Sequence, residues 1–140
     1  MECYLWEKEN LMLAKSVRDL EVYKVAFEVQ QRIFYLTKSF PKEEMYSLTD
    51  QIRRASRSIG ANICESWAKR RYPAHFVSKL SDADGEMEET IHWIETAFAC
   101  EYIAEDIRED LISQCRHVGG MLNKMMNDSD SWCKKYITKK

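Results

Sequence analysis

Leu48-Thr49-Asp50-Gln51-Ile52-Arg53-Arg54-Ala55-Ser56-Arg57-Ser58-Ile59-Gly60-Ala61-Asn62-Ile63 is the stretch whose reading decides the fold. Its apolar residues Leu48, Ile52, Ala55, Ile59 and Ile63 recur at steps of four and three. That is the seam of an amphipathic α-helix, not the two-residue alternation of a strand. The seam takes in Met45 in front and runs on to about Lys69. Two starts fit it: Lys42, or Thr49 if Ser47-Leu48-Thr49-Asp50 is a capping box and 41–47 a separate turn. Gly60 lies inside the run at a cost of roughly 1 kcal/mol relative to Ala, which points to close helix contact or a slight bend.

The same period extends to both sides. Val22, Ala26, Val29, Ile33, Leu36 and Phe40 predict a first helix over about 18–39. Pro41 stops it, because the residue before a proline is disfavoured in helix. Pro73 suits the first turn of a third helix, where its missing N–H costs nothing. Phe76, Leu80, Ala83, Met87, Ile91, Ile94 and Phe98 mark that helix to about Tyr102. Ile107, Leu111, Cys115, Val118, Leu122 and Met125 mark a fourth over about 104–127. Short connections between four helices imply an all-α, antiparallel up-down-up-down four-helix bundle. The expected organisation is an N-terminal segment 1–17, a bundle 18–127 and a basic C-terminal tail 128–140. Tyr23, Phe27 and Phe34, with Trp67 and Trp93, supply more aromatic surface than one small bundle needs, a surplus that marks subunit interfaces.

Composition agrees with this reading. Four Gly and two Pro in 140 residues leave few places for hairpins, and 45% hydrophobic with 31% charged residues suits a helical domain with a real core. No apolar run approaches the roughly 18 residues of a membrane span. The start, Met1-Glu2-Cys3-Tyr4-Leu5-Trp6-Glu7, is too acidic and interrupted for a secretory signal. Cys3, Cys64, Cys100, Cys115 and Cys133 form no Cys-x-x-Cys. The expectation is a cytoplasmic protein in which Cys64, Cys100 and Cys115 act as small core residues.

The net charge of −2 conceals strong blocks. Residues 51–80 carry seven Lys/Arg against Glu65 alone, 81–110 carry eleven acids against Arg108, and 111–140 are basic again. Such blocks suit complementary faces of a bundle, of an oligomer, or of a complex with a polyanion. Arg53, Arg54 and Arg57 share one side of the second helix, and Lys69, Arg70 and Arg71 lie at its C-terminal end. Two readings fit them: structural ion pairs, with the helix dipole favouring the second cluster, or contacts to phosphate, which guanidinium forks match well.

Other motifs carry less. Glu89-Thr90-Ile91-His92 is a single Glu-x-x-His, and bundle di-metal sites need two, plus a Glu from each of two further helices. Asp82-Ala83-Asp84-Gly85-Glu86 would put Leu80 at the acidic first position of a calcium loop. No nucleophile elbow, His-Glu-x-x-His, phosphate loop or dinucleotide fingerprint occurs. The expectation is a non-catalytic protein without cofactor or metal.

Leu36-Thr37-Lys38-Ser39-Phe40-Pro41-Lys42-Glu43-Glu44, then Leu48-Thr49-Asp50-Gln51-Ile52-Arg53-Arg54-Ala55 and Ser58-Ile59-Gly60-Ala61-Asn62-Ile63-Cys64-Glu65, resembles the four-helix-bundle proteins encoded in bacterial 23S rRNA intervening sequences. The accessory variability determinant proteins of diversity-generating retroelements are similar. The resemblance covers about 18–126 and implies an antiparallel bundle assembling as a homopentamer, with a basic surface for RNA or DNA. It also implies an alternative: an accessory scaffold docking a partner such as a reverse transcriptase, with the acidic third helix as the partner surface. Positions that match the family pattern are Gln51, Arg53, Arg54, Ser58, Asn62 and Glu65, with Lys69, Arg70 and Arg71 in its basic stretch. Gly60 stands where the family usually has proline, and Ser66 where it often has glycine. From the residues alone, Gln51, Ser58, Asn62 and Glu65 read as a partly buried polar set that holds helix register, provided its groups are hydrogen-bonded.

Overall fold

Five α-helices and two 3-10 turns account for the regular structure of residues 14–137, which the computed structural model describes. The helices are α1 (Glu21–Thr37), α2 (Leu48–Ala68), α3 (Pro73–Ala99), α4 (Glu105–Asn127) and α5 (Ser129–Ile137). The turns are Val17–Asp19 and Lys42–Glu44. No strand occurs among the described residues.

Pairs between helices set the architecture. On α1 and α2, Thr37 meets Arg53, while Tyr23 lies beside Gly60. On α3 and α4, Glu95 pairs with Arg108 and Glu88 with Arg116. On α4 and α1, Asp110 pairs with Arg32 and Gln114 donates to Glu28. In each set the residue number rises along one helix as it falls along the other, so these neighbours are antiparallel. The four-residue link 69–72 reverses the chain between α2 and α3, where Lys79 reaches Glu65. The bundle α1 to α4 therefore runs up-down-up-down with α4 back against α1.

The seam residues fill its interior. Val22, Ala26, Val29 and Ile33, then Ile59 and Ile63, Phe76, Leu80 and Ile94, and Cys115, Val118, Leu122 and Met125 have essentially no exposed surface. A Cβ on Gly119 would lie 2.7 Å from the Met87 methyl, which shows how closely α3 and α4 approach.

Several boundaries differ from the sequence expectation. The first helix starts at Glu21 rather than 18, because the Asp19 carboxylate accepts the amides of Lys15 (2.9 Å) and Ser16 (3.1 Å) and fastens a 3-10 turn. Those bonds hold the Asp19 carboxyl below its ordinary range. Of the two starts for the second helix, the later one is adopted, but not through a capping box. The Ser47 hydroxyl donates backwards to Glu44 Oε1 at 2.6 Å and makes no cap bond. The third helix stops at Ala99, short of Tyr102. Glu101 takes a left-handed φ of 64°, and the Tyr102 amide returns to the Ala97 carbonyl at 2.9 Å, closing a Schellman-type end.

The largest correction concerns the C-terminus. Residues 128–140 read as a tail, yet 129–137 form α5, with Trp132 and Cys133 buried. Trp132 packs edge-on against Trp67 at 6.5 Å and closes one end of the bundle. At the other end Phe40 lies against Tyr102 (5.4 Å), whose hydroxyl donates to Glu44 at 3.1 Å. The cysteines divide too. Cys115 is a core thiol, pushed up to about 12 by burial; Cys64 is half-buried and Cys100 exposed. The N-terminal segment 1–17 lies outside the described residues through 13, and its end is anchored by buried Val17.

Candidate nucleic-acid interface

The two turns of α2 that carry Arg53 and Arg57 face the last turns of α1. Phe34, half-buried on α1, lies between them. The Arg53 guanidinium stands 4.9 Å from the Phe34 ring centre and Arg57 5.6 Å from it. Lys38, one turn beyond Phe34, brings its ammonium to 5.0 Å from the same ring and 5.0 Å from Tyr35. Arg53 Nε also donates to Thr37 Oγ1 at 2.8 Å, which fixes the guanidinium rather than leaving it to roam. Each cation gains about 0.5–1 kcal/mol from an exposed aromatic face. Among the described residues no carboxylate lies within ion-pair distance of Lys38, Arg53 or Arg57. The cations repel one another, and the ring answers only part of that charge.

Arg54 parts from these two. It is exposed and pairs with Asp50 one turn back, Nε to Oδ2 at 2.9 Å. On the α3 side of α2, Glu65 takes Lys79 at 2.8 Å, and Lys79 also reaches Asp82 at 3.7 Å. The Lys79 ammonium holds the Glu65 carboxyl below its ordinary range. Ser58 and Asn62 turn inward on their own helix. The Ser58 hydroxyl donates to the Arg54 carbonyl (2.8 Å) and the Asn62 amide to the Ser58 carbonyl (2.9 Å). Gln51 is exposed. Of the four expected polar residues, only Glu65 ties α2 to its neighbour.

Lys69, Arg70 and Arg71 sit at the other end of α2, about 24 Å from Arg53 at 1.5 Å per helical residue. Arg70 lies flat on Trp67, its guanidinium 3.5 Å from the ring centre, and donates to the Trp67 carbonyl at 2.8 Å. With Trp132 on Trp67, the start of α5 and its Lys134 and Lys135 come to this same end. The six predicted cations thus fall into two clusters and one outlier.

The acidic block of α3 is shared out. Glu88 and Glu95 serve Arg116 and Arg108 of α4. Glu86 and Glu89 lie together on the α2 side without a cation in ion-pair range among the described residues. Burial, then the neighbouring Glu89, pushes the Glu86 carboxyl up. Glu89 Oε1 accepts the Trp93 indole N–H at 3.3 Å, and the His92 ring rests on Trp93 at 4.7 Å. Among the described residues no group of three or more His, Cys, Asp or Glu gathers as a metal site. No described helix is long and apolar enough to cross a membrane.

Sequence reasoning missed Lys38, Phe34, Thr37 and Tyr35. The signal was available: Phe34 and Lys38 are one turn apart on the flank of the first helix that an antiparallel second helix must meet.

The model of the 23S rRNA-intervening sequence protein family matches residues 18–124. The chain belongs to that family. Both basic clusters of α2 lie inside the match, and α5 lies outside it. Among solved structures, this family member is similar to a protein of unknown function from the S23 ribosomal protein family of Bacteroides thetaiotaomicron. The two are 29% identical with a TM-score of 0.68, over 76% of this chain and 95% of that one. No curated protein matches the chain.

Proposed function

We propose that this protein is a cytoplasmic, non-catalytic bundle that binds structured RNA or DNA through phosphate contacts and works as a homo-oligomer, a pentamer by family resemblance. One observation carries the reading: Lys38, Arg53 and Arg57 converge on Phe34 with no carboxylate among the described residues in reach. Ion pairing among the described residues does not account for them, and a phosphate would relieve their mutual repulsion. Arg54 and the Lys69, Arg70 and Arg71 end contribute to the wider field. Three phosphate contacts per chain give modest affinity, which repetition in an oligomer multiplies. For self-association the stacked Tyr23–Phe27 pair (6.0 Å), with Phe27 46% exposed, offers an apolar patch beside Gly60.

The test is binding of the purified chain to an RNA hairpin and a DNA duplex across a salt series, with native mass recorded on the same sample. The expected result is a log–log salt slope of about −2 to −3 for each engaged chain. The expected mass is five times 16.6 kDa. Absence of binding at low salt overturns the reading. A second reading, a scaffold for a basic protein partner such as a reverse transcriptase, draws on Glu86 and Glu89. Among the described residues no cation answers them on the α2 side of α3.

A further inference from the structure

Tyr35 is 64% exposed, although Lys38 stands 5.0 Å from its ring and Phe34 packs edge-on to it at 5.2 Å. It therefore belongs to the cation cluster on one side. On its other side it borders an open groove of about 440 Å³ between α1 and α4, walled by Leu36, Ile107 and Leu111. The groove's one cation, Arg32, is already engaged by Asp110 at 2.7 Å and by Gln114. Glu28 on the same wall takes the Gln114 amide at 3.3 Å. The groove thus offers flat apolar surface with no spare positive charge, while the spare positive charge stands next door on Lys38, Arg53 and Arg57.

We infer that the nucleic acid held at this cluster is unpaired there, with its phosphates on Lys38, Arg53 and Arg57 and a base laid on Tyr35 at the mouth of the α1–α4 groove. The inference rests on the proposed function and narrows its ligand. Three features carry it. An exposed aromatic face beside cations is the arrangement that single strands use, because a free base has a π-face to stack and a duplex hides it. All three cations lie within 5.6 Å of one ring centre, so no two are farther apart than twice that. Along one strand of a duplex that is only about three steps of 3.4 Å of axis each, so the cluster holds a short run of backbone and is too small to grip a duplex along its length. The adjacent groove, finally, lies within the usual range of about 300–1,000 Å³ for small-molecule pockets, and its apolar lining suits a base rather than a phosphate.

The test uses the full chain and two labelled RNA probes with the same number of nucleotides and nearly the same charge: a single-stranded uridine 24-mer and a 12-base-pair duplex. Binding is followed by fluorescence anisotropy at several salt concentrations. The single strand is expected to bind about tenfold tighter. Tyr35→Ala is expected to remove most of that margin, leaving duplex binding and the salt slope unchanged, while Tyr35→Phe keeps it. Tyr35 is exposed, so helical circular dichroism of the variants should match the parent. Duplex binding as tight as single-strand binding, or a Tyr35→Ala variant that loses nothing, overturns this inference and leaves the proposed function standing. No binding to either probe overturns both.

Discussion

The two flanks of α2 carry charges from the one stretch 50–65 and treat them in opposite ways. On the α3 side, Glu65, Lys79 and Asp82 form a compensated chain, and on the exposed face Arg54 closes on Asp50 of the same helix. On the α1 side, Arg53 and Arg57 meet an aromatic ring, a hydroxyl and a further cation, Lys38. Arg53 and Arg54 are sequence neighbours, but a step of one residue turns about 100° round a helix and so places them against different partners. Adjacent arginines are therefore not one site. A flank with answered charge contributes to the fold, and a flank with unanswered charge is available to a ligand.

The most drastic way to break the comparison is to loosen the end of α2 where Trp67 meets α5. Trp132→Ala should cost about 3–5 kcal/mol, because it empties a fully packed site against Trp67. Urea unfolding at fixed protein concentration measures it; a loss under about 1 kcal/mol would return α5 to the status of a tail. The flanks themselves separate in a binding assay. Arg53→Ala with Arg57→Ala should weaken nucleic-acid binding roughly a hundredfold, about 3 kcal/mol, and reduce the salt slope by about 2. Arg54→Ala should change affinity about twofold or less, since its exposed pair with Asp50 is worth about 0.3–0.5 kcal/mol. Equal losses from the two flanks would erase the distinction.

Smaller effects sharpen it. A Cβ on Gly60 would stand 3.7 Å from Tyr23 and 3.8 Å from Gln30, ordinary contact. Gly60→Ala should therefore raise stability by about 0.5–1 kcal/mol, a gain read from the thermal midpoint, and stiffen the α1-facing flank. On the other flank the pH dependence runs in two directions. The Glu65 carboxyl is held low by Lys79, so its contribution is present above its ordinary range and fades as pH falls through the lowered value. The Glu86 carboxyl is held high by burial and Glu89, so the folded state binds that proton more readily and loses stability as pH rises through the raised value. Glu86→Gln should accordingly stabilise the protein at neutral pH and not at pH 3, whereas Glu65→Gln should destabilise it at neutral pH and not at pH 3. Urea midpoints at the two pH values check both signs.

Period and punctuation determined most of the architecture from sequence. The four seams, Pro41 and Pro73 as boundaries, and the short links together specify an antiparallel bundle, because a 3.6-residue period admits one buried face per helix. The ordered string from Leu36 to Glu65 was legible as family membership, and the family match over 18–124 agrees. Tertiary structure alone decided the rest. A nine-residue helix such as α5 is too short to show a period and is marginal by itself. It exists because Trp132 finds Trp67, a partner 65 positions away. Arg54 finds Asp50 one turn back on its own helix, a pairing local to the sequence, whereas the surroundings of Arg53 and Arg57 depend on α1. Sequence showed where the positive charges are; only the packing of α1 against α2, with Phe34 between them and no carboxylate of the described residues in reach, set Arg53 and Arg57 apart from the paired charges.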